Sequence, residues 1–160
     1  MKKNDPIIVL LMIFFMMIAS VLFASSAKPS ELRCLSEAIY FEARSEPFHG
    51  QLAVANVIVN RKNHVNYPQT ICGVVYDGVY RRGKPVKHMC AFSYWCDGKP
   101  ERIRDRKAYH KAKEIASMAL QNIFVSGVEK ALYYHAEYVK PIWSIQRKRS
   151  VQIGKHIFYN

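Results

Sequence analysis

The chain has 160 residues, enough for one domain and not comfortably for two. Its 24 Lys and Arg residues outnumber 12 Asp and Glu residues, which gives a formal net charge of +12. Such a charge favours a polyanionic partner, namely nucleic acid, an anionic lipid surface or an acidic cell-wall polymer. Charge alone does not distinguish these three classes of partner, but the cellular compartment of the protein does.

The N-terminus has the layout of an export signal. Lys2 and Lys3 precede an uncharged apolar run over residues 7–24, and small residues follow it. The run is longer than most signal-peptide cores and just long enough to span a bilayer. Residues 1–27 are therefore predicted to be a signal peptide or a membrane anchor, and both alternatives stay open.

Either alternative places residues 28–160 outside the cytoplasm. We expect them to form one exported domain in the periplasm or cell envelope, held at the inner membrane if the N-terminal segment is retained. An exported domain does not meet nucleic acid first. A cell-wall polymer or a membrane surface is the favoured partner, and no nucleic acid is expected.

All four cysteines lie after the export segment, at Cys34, Cys72, Cys90 and Cys96. An even number in an oxidising compartment predicts two disulfides, for which three connectivities exist. Cys90 and Cys96 are close enough in sequence to close a small loop, which would leave Cys34 with Cys72. A zinc site is less favoured because no C-x-x-C motif occurs.

The first half of the exported part reads as two helices separated by a turn. Ser30 can cap a first helix that runs to about Arg44. Pro47 then forces Glu46 out of the helical region and suits the first turn of a second helix. That second helix, residues 49–61, is apolar on almost every side and is predicted to lie at the centre of the core.

A short helix and two loops are predicted next. Thr70 can cap a helix over residues 71–76. Residues 77–87 are glycine-containing and basic, and indicate a flexible exposed connection. Residues 90–96 carry aromatic side chains between two cysteines and suit a short hairpin or a loop that lines a cleft.

The last third predicts one long helix and two strands. Asp105 can cap a helix over residues 106–121, and residues 131–139 and 151–159 read as strands that could pair antiparallel. The predicted fold class is α+β: a mostly helical domain with a small antiparallel sheet, preceded by the N-terminal hydrophobic helix.

One carboxylate interrupts the apolar face of the first helix. At about 100° per residue, Glu42 falls on the same face as Leu35, Ala38 and Ile39, whereas Glu37 falls on the side expected to face solvent. Burial raises the pKa of a carboxyl group, and a carboxylic acid that stays protonated can donate its proton to a departing glycosidic oxygen. Glu42 is therefore a candidate general acid.

A structural role for Glu42 is the alternative. Buried glutamates are also found paired with an arginine, and Arg44 or Arg61 could be such a partner. The pattern alone does not separate the two roles.

Five ordered blocks of the sequence resemble one known family. The first, residues 34–61, is similar to the opening motif of the SleB/CwlJ-type cell wall hydrolases, the spore-cortex-lytic enzyme family. The later blocks match in order: YPQTICGVVY, CAFSYWCDG, ALYYHAEYVKPIW and IGKHIFY. The chain also resembles the lysozyme-like and lytic transglycosylase group, in which a Glu that ends a helix is the catalytic acid.

The resemblance implies a lysozyme-like fold and cleavage of peptidoglycan at the β-1,4 bond between N-acetylmuramic acid and N-acetylglucosamine. It identifies Glu42 as the catalytic acid, through the first glutamate of the E-A-R-x-E pattern. Glu46 matches the second glutamate and is expected to contact substrate. The chain departs from the family pattern at Ser45 and Ala91, where many relatives have Gly and Gln.

The reaction outcome depends on a second carboxylate. Glycosidic hydrolysis uses two carboxyl groups, and of the later acids only Asp97 and Glu137 lie in family-like blocks. A lytic transglycosylase with a single Glu as acid and then base is therefore favoured. The alternatives are a muramidase-type hydrolase with a second carboxylate, an amidase or endopeptidase, and an inactive membrane-anchored wall-binding protein.

Three further residues are predicted to contact substrate. Tyr94 and Trp143 lie in turn-rich blocks and could stack on sugar rings, and His135 could hydrogen-bond the glycan. His135 and His156 lie in the two predicted strands and could face one another, but no third ligand accompanies them. No metal and no cofactor are expected.

Overall fold

The computed structural model describes residues 30–160. Within that range four helices are present: α1 (Glu31–Ala43), α2 (Phe48–Lys62), α3 (Ile71–Val75) and α4 (Arg106–Leu120). The strands are β1 (Gly78–Arg81), β2 (Lys84–Cys90), β3 (Tyr133–Ala136), β4 (Arg149–Ile153) and β5 (His156–Tyr159). Two short 3₁₀ helices lie at Ser93–Cys96 and Ile142–Gln146. The predicted export segment, residues 1–27, lies outside the described residues, and no helix within residues 30–160 is long and apolar enough to cross a membrane.

Three helices begin where the sequence predicts. The side-chain oxygens of Ser30, Thr70 and Asp105 each accept a hydrogen bond from the backbone N–H three residues later, at 3.2, 3.0 and 2.9 Å. Each bond satisfies a backbone donor that the first turn of a helix leaves without a partner. The local signal at these three positions was sufficient, and the predicted helix starts are confirmed.

Helix α2 lies at the centre of the domain, as predicted. Residues 50–59 are all buried, including the polar Asn56. Asn56 donates from Nδ2 to the carbonyl of Ile123 at 2.8 Å and accepts at Oδ1 from the N–H of Val125 at 3.0 Å. Asn60 donates from Nδ2 to the carbonyls of Val128 and Ala131 at 2.8 and 2.9 Å. All four partners are backbone groups of residues 123–131. The two asparagines therefore hold an irregular segment against the central helix and satisfy its backbone.

Apolar clusters pack on both sides of α2. One fills the space between the four helices, and its members include Leu35, Ile39, Ile58, Ile71 and Ile115. The other lies between α2 and the sheet and includes Val54, Val57, Val128 and Phe158. The face of α4 that packs on this cluster is formed by Ala112, Ile115, Ala116 and Ala119, all of them buried.

The C-terminal sheet has three antiparallel strands in the order β3–β5–β4. The prediction of a single strand over residues 151–159 was wrong. The chain turns at Gly154 and Lys155, so that Ile153 pairs with His156 across a two-residue loop. Gly154 has φ +59°, a left-handed conformation that glycine adopts without steric cost.

The connection over residues 77–87 is mostly exposed, as predicted, but it forms a regular hairpin and not a flexible loop. β1 and β2 form an antiparallel hairpin, most of whose side chains are exposed. A strand with both faces in solvent carries no alternation of apolar and polar residues, so the usual sequence signal for a strand is absent.

Both disulfides have the predicted partners. Cys34 bonds to Cys72 and ties α1 to α3, while Cys90 bonds to Cys96 and ties the end of β2 to the adjacent 3₁₀ helix. The small loop between Cys90 and Cys96 was the feature that selected this connectivity from the three alternatives.

Glu37 does not face solvent, contrary to the wheel-based expectation. Its side chain is only 15 % exposed and accepts hydrogen bonds from Arg33 Nε at 2.8 Å and from Tyr76 OH at 3.0 Å. Tyr76 lies at the end of α3, which packs on this side of α1. A helical wheel identifies one buried face and cannot show that a second helix covers another.

Candidate active site

Glu42 lies in the last turn of α1, one residue before its end. The neighbours that share its helical face, Leu35, Ala38 and Ile39, are all fully buried, as the sequence predicts. The carboxyl group therefore continues a face that packs into the protein. The α1–α2 turn follows at once and keeps this position at the edge of the core.

Two polar side chains from other elements act on Glu42. The hydroxyl of Tyr134, on β3, hydrogen-bonds the carboxyl group, and the guanidinium of Arg61, in the last turn of α2, attracts its charged form. Tyr134 pairs with Phe158 of β5, and the rings lie 5.8 Å apart on the sheet face that packs towards α2. Arg61 is itself fixed by a bond of 2.8 Å from Nε to the carbonyl of Leu132.

Burial decides the protonation of this carboxyl. Loss of solvent raises the pKa of Glu42 to about 7, although Tyr134 and Arg61 both act to lower it. The carbonyl end of α1 carries partial negative charge and acts in the same direction as burial. Among the described residues no second carboxylate contributes to this shift. Glu42 is thus a carboxylic acid that is about half protonated at neutral pH.

Tyr94 lies close to this acid. Its ring stacks on Phe41 at 4.7 Å, and the charge of Glu42 is one cause of its raised pKa. Its buried hydroxyl has no hydrogen-bond partner among residues 30–160. Tyr94 also lines an open cleft of about 520 Å³ beside the last turn of α1. Glu42 is not among the residues that line this cleft, so we assign the site by the chemistry of the carboxyl group. Contact between Tyr94 and substrate stays a prediction.

Glu46 fastens the C-terminal sheet to the turn between α1 and α2. Its Oε2 accepts a hydrogen bond of 2.9 Å from the backbone N–H of Lys155, and its carbonyl accepts one of 2.9 Å from Gln51 Nε2. A Cβ at Gly154 would collide with Oε2, so only glycine leaves room for the carboxylate there. The predicted substrate contact of Glu46 stays a prediction, while the observed contacts are those of a buried structural link.

Beside that link, His156 lies with Nδ1 3.9 Å from Glu46 Oε2. Burial lowers the pKa of His156, His135 adds to that effect, and the charge of Glu46 opposes both. His156 Nδ1 makes no hydrogen bond within the described part of the chain. The imidazole is therefore held mainly neutral against a buried carboxylate.

His135 and Trp143 lie on the opposite face of the sheet from Tyr134. His135 Nε2 lies 2.9 Å from the hydroxyl of Tyr159, and the Trp143 ring packs on His135 and Tyr159 at 5.6 and 5.5 Å. The structure does not bring these two residues together with Glu42. Their contacts with substrate stay predictions.

The two histidines do not face one another, contrary to expectation. Ala136 is the residue that pairs with His156, so His135 is one position away and points to the other face. Among residues 30–160 no group of three His, Cys, Asp or Glu side chains is placed to hold a metal ion.

Comparison with known proteins identifies the family. Residues 45–159 match the model of the cell wall hydrolase family, a match that begins three residues after Glu42. The chain belongs to the cell wall hydrolase family. The spore-cortex-lytic resemblance of the five sequence blocks is thereby confirmed.

Curated relatives agree with this assignment. The spore cortex-lytic enzymes of Bacillus subtilis (strain 168) and Oceanobacillus iheyensis are 32 % and 34 % identical over 133 and 130 residues, 81 % of this chain in both cases. Those alignments cover 37 % and 41 % of the relatives. This cell wall hydrolase therefore spans about two fifths of the length of the relatives it matches.

Solved structures confirm the fold class. The catalytic domain of the germination-specific lytic transglycosylase SleB from Bacillus anthracis matches with a TM-score of 0.63 at 29 % identity, over 85 % of this chain and 98 % of that chain. The catalytic domain of the Bacillus cereus SleB protein matches with a TM-score of 0.61 at 30 % identity. The mostly helical α+β architecture with small antiparallel sheets is that of the SleB catalytic domain.

Sequence reasoning missed one component of the site in this cell wall hydrolase. Tyr134 is not among the residues that the sequence predicts to act at the site, yet its hydroxyl hydrogen-bonds Glu42. Alternation along β3 shows that Tyr133 and Tyr134 face opposite sides, but not which of them points inward. Arg61 had been recognised as an arginine that could reach the carboxyl.

The raised pKa predicts the pH dependence of wall cleavage. With Glu42 as the acid, the rate should be highest below the pKa of about 7 and should fall about tenfold per pH unit above it, because only the protonated form can donate. The measurement is the initial rate of muropeptide release between pH 5 and 9, at constant ionic strength. A rate that keeps rising through pH 8 would exclude Glu42 as the acid.

Proposed function

We propose that the exported domain cleaves the β-1,4 bond between N-acetylmuramic acid and N-acetylglucosamine in peptidoglycan, as a lytic transglycosylase. The observation that carries this proposal is Glu42, a lone carboxyl whose pKa burial raises to about 7. Membership of the cell wall hydrolase family supports the substrate, and the likeness to a SleB domain that is named a lytic transglycosylase supports the reaction.

In the first step, the protonated Glu42 donates its proton to the glycosidic oxygen as the bond to the muramyl C1 breaks. The N-acetylglucosamine end leaves with a free hydroxyl, and positive charge develops at C1. Glu42 is now a carboxylate. The hydroxyl of Tyr134 and the charge of Arg61 both stabilise this form, because both lower the pKa of the group.

In the second step, the Glu42 carboxylate takes the proton from the C6 hydroxyl of the same muramyl residue. The C6 oxygen attacks C1 and closes a 1,6-anhydro ring, which returns Glu42 to its protonated form. No water is consumed. One residue serves as acid and then as base, which is consistent with a carboxyl that has similar populations of both forms near pH 7.

A single acid suits this reaction better than hydrolysis. A retaining hydrolase needs a second carboxyl at about 5–5.5 Å, and an inverting one needs a partner that activates water. No other carboxylate of residues 30–160 contributes to the pKa of Glu42. Glu37 is engaged by Arg33 and Tyr76, and Glu46 by the backbone of Lys155.

The sequence also indicates where in the cell the reaction takes place. We propose that residues 1–27 export the domain and act as a signal peptide or an inner-membrane anchor, so that it meets peptidoglycan in the periplasm or cell envelope. The strongly basic composition favours adhesion to an anionic wall.

The product distinguishes the two glycosidase reactions. Residues 28–160 incubated with purified peptidoglycan should release muropeptides with 1,6-anhydromuramic ends, one water lighter than the corresponding hydrolysis products. Mass analysis before and after borohydride reduction checks this, because only reducing ends are modified. Exclusively reducing ends would instead show a muramidase. Folded protein that binds the wall but releases no soluble product would show a wall-binding protein.

A further inference from the structure

The connection from β3 to β4 exposes an unusual amount of apolar surface. Tyr138, Ile142 and Ile145 are 82 %, 80 % and 86 % exposed. Among the described residues only one other large apolar side chain, Val65, exceeds 80 %. We call these three residues the apolar tip. Three such residues within eight positions of sequence concentrate exposed apolar surface in one short segment.

The backbone holds the apolar tip in one orientation. Ile142 and Ile145 lie three residues apart in the 3₁₀ helix Ile142–Gln146, where side chains at that spacing project on the same side. Trp143, between them, points the other way and packs on Tyr133 and His135 at 5.7 and 5.6 Å. The tip is thus presented by an anchored turn, which lowers the entropy cost of binding.

Exposed positive charges flank the tip in sequence. Lys140, Lys148 and Arg149 are exposed in the same connection and at the start of β4. The acidic residue of this connection, Glu137, accepts a hydrogen bond of 2.8 Å from Gln152 Nε2. The surface therefore combines protruding aliphatic and aromatic groups with a cationic rim.

This combination suits some partners better than others. The two isoleucines neither stack on sugar rings nor hydrogen-bond them, and Tyr138 is the single aromatic ring that the tip offers to a glycan. A second copy of the same surface would bring two cationic rims together, which is electrostatically unfavourable. An anionic bilayer satisfies both features, because apolar side chains enter the headgroup boundary while lysine and arginine pair with anionic lipids.

We propose that the apolar tip and its cationic rim dock the domain on the surface of an anionic phospholipid bilayer. The tip inserts Tyr138, Ile142 and Ile145 into the headgroup region, and Lys140, Lys148 and Arg149 contact the lipid phosphates. This contact is independent of wall cleavage and of the N-terminal segment. It holds the catalytic domain at the membrane face of the wall.

The experiment uses residues 30–160, so that the N-terminal apolar run does not dominate binding. This part folds on its own, because it contains its own core and both disulfides and matches 98 % of a solved catalytic domain. Binding is measured by co-sedimentation with vesicles of phosphatidylcholine alone and of phosphatidylcholine with phosphatidylglycerol. The double variant I142S/I145S should lower the partition coefficient on phosphatidylglycerol vesicles by about tenfold or more, because two apolar side chains leave the interface.

Matched variants separate the tip from general effects. Val65→Ser removes an equally exposed apolar side chain elsewhere and should bind as the wild type does. K140Q/K148Q should weaken binding more than K111Q/K113Q, which removes the same charge from the exposed side of α4. Thermal unfolding of every variant checks that the fold is kept. We expect it to be kept because the substituted residues are exposed.

Three results would overturn the proposal. The first is equal partition of I142S/I145S and the wild type. The second is equal loss in the two lysine pairs, which would show that net charge alone attracts the domain. The third is absence of vesicle binding by the wild type. If sedimentation velocity then shows a wild-type dimer that I142S/I145S dissociates, the tip is a contact between two copies of the chain and not a membrane contact.

Discussion

Replacement of Glu42 by Gln should lower the release of soluble muropeptides by about 10²- to 10⁴-fold, the usual contribution of a general acid. Gln has nearly the shape of the protonated acid and keeps an oxygen that can accept from Tyr134 OH. It cannot donate the proton that the leaving oxygen needs, and it cannot take one back. The measurement is the initial rate on purified peptidoglycan at pH 6, where the wild-type acid is mostly protonated.

The same variant should be more stable than the wild type in alkaline solution. The pKa of Glu42 is raised on folding from 4.5 to about 7, so the folded state binds more protons between those values and loses stability as pH rises through them. Above pH 7 the cost reaches about 3 kcal/mol, whereas below pH 4.5 it vanishes. Urea unfolding at pH 8 should therefore show Glu42→Gln more stable by up to that amount, and unfolding at pH 4 should show little difference.

Activity and stability thus move in opposite directions at one residue. A purely structural glutamate, paired with Arg61, would give the reverse result, because its loss would remove the negative charge that balances the arginine. Glu114→Gln is the matched control, since Glu114 is exposed on α4 and lies 3.3 Å from His110 Nδ1 on the same helix. It should change neither rate nor stability at either pH. Full activity of Glu42→Gln would refute the catalytic assignment regardless of its stability.

The sequence predicted those parts of the fold that depend on neighbouring residues. Ser30, Thr70 and Asp105 cap helices through a bond to the backbone three residues on, so their signal is local. The position of Glu42 on a buried helical face is also a local property, since the face is defined by residues within two turns of it.

Features that depend on distant residues were not predictable in the same way. Glu37 is covered because α3 returns to pack on α1, and the register of β3 and β5 alone determines that Tyr134 points at Glu42. A pattern of neighbouring residues carries no information about contacts between residues that are far apart in sequence. The hairpin of β1 and β2 was missed for a related reason, since both of its faces meet solvent and no apolar alternation marks it.

The hydrogen bond made by Glu46 is a contact between distant residues that positions part of the site. Its bond to the N–H of Lys155 fixes the β4–β5 turn against the α1–α2 turn, four residues after Glu42. β5 pairs with β3, and β3 carries Tyr134. The second glutamate of the E-A-R-x-E pattern therefore aligns the strand whose tyrosine binds the first. This role accounts for its position without any contact with substrate.

Removal of the Cys34–Cys72 disulfide should destabilise the domain by about 4 kcal/mol. The bond closes a loop of 38 residues, and the loss of chain entropy in the unfolded state grows with the length of the loop. Cys34 is fully buried, so the double variant C34A/C72A avoids a new polar group in the core. The matched control is C90A/C96A, whose loop of six residues predicts a smaller loss of about 2 kcal/mol.

Urea unfolding at pH 6 of the wild type and the two double variants tests this order. The Cys34–Cys72 bond lies at the start of α1, where Glu31 Oε1 also accepts from the N–H of Ile71 at 3.1 Å, and Glu42 lies at the other end of the helix. Below its unfolding temperature C34A/C72A should therefore keep the wild-type rate on peptidoglycan. If the two double variants lose equal amounts of unfolding free energy, then strain or packing, and not loop length, determines the contribution of each disulfide to stability. A loss of activity in folded C34A/C72A would show that the anchoring of α1 to α3 positions Glu42.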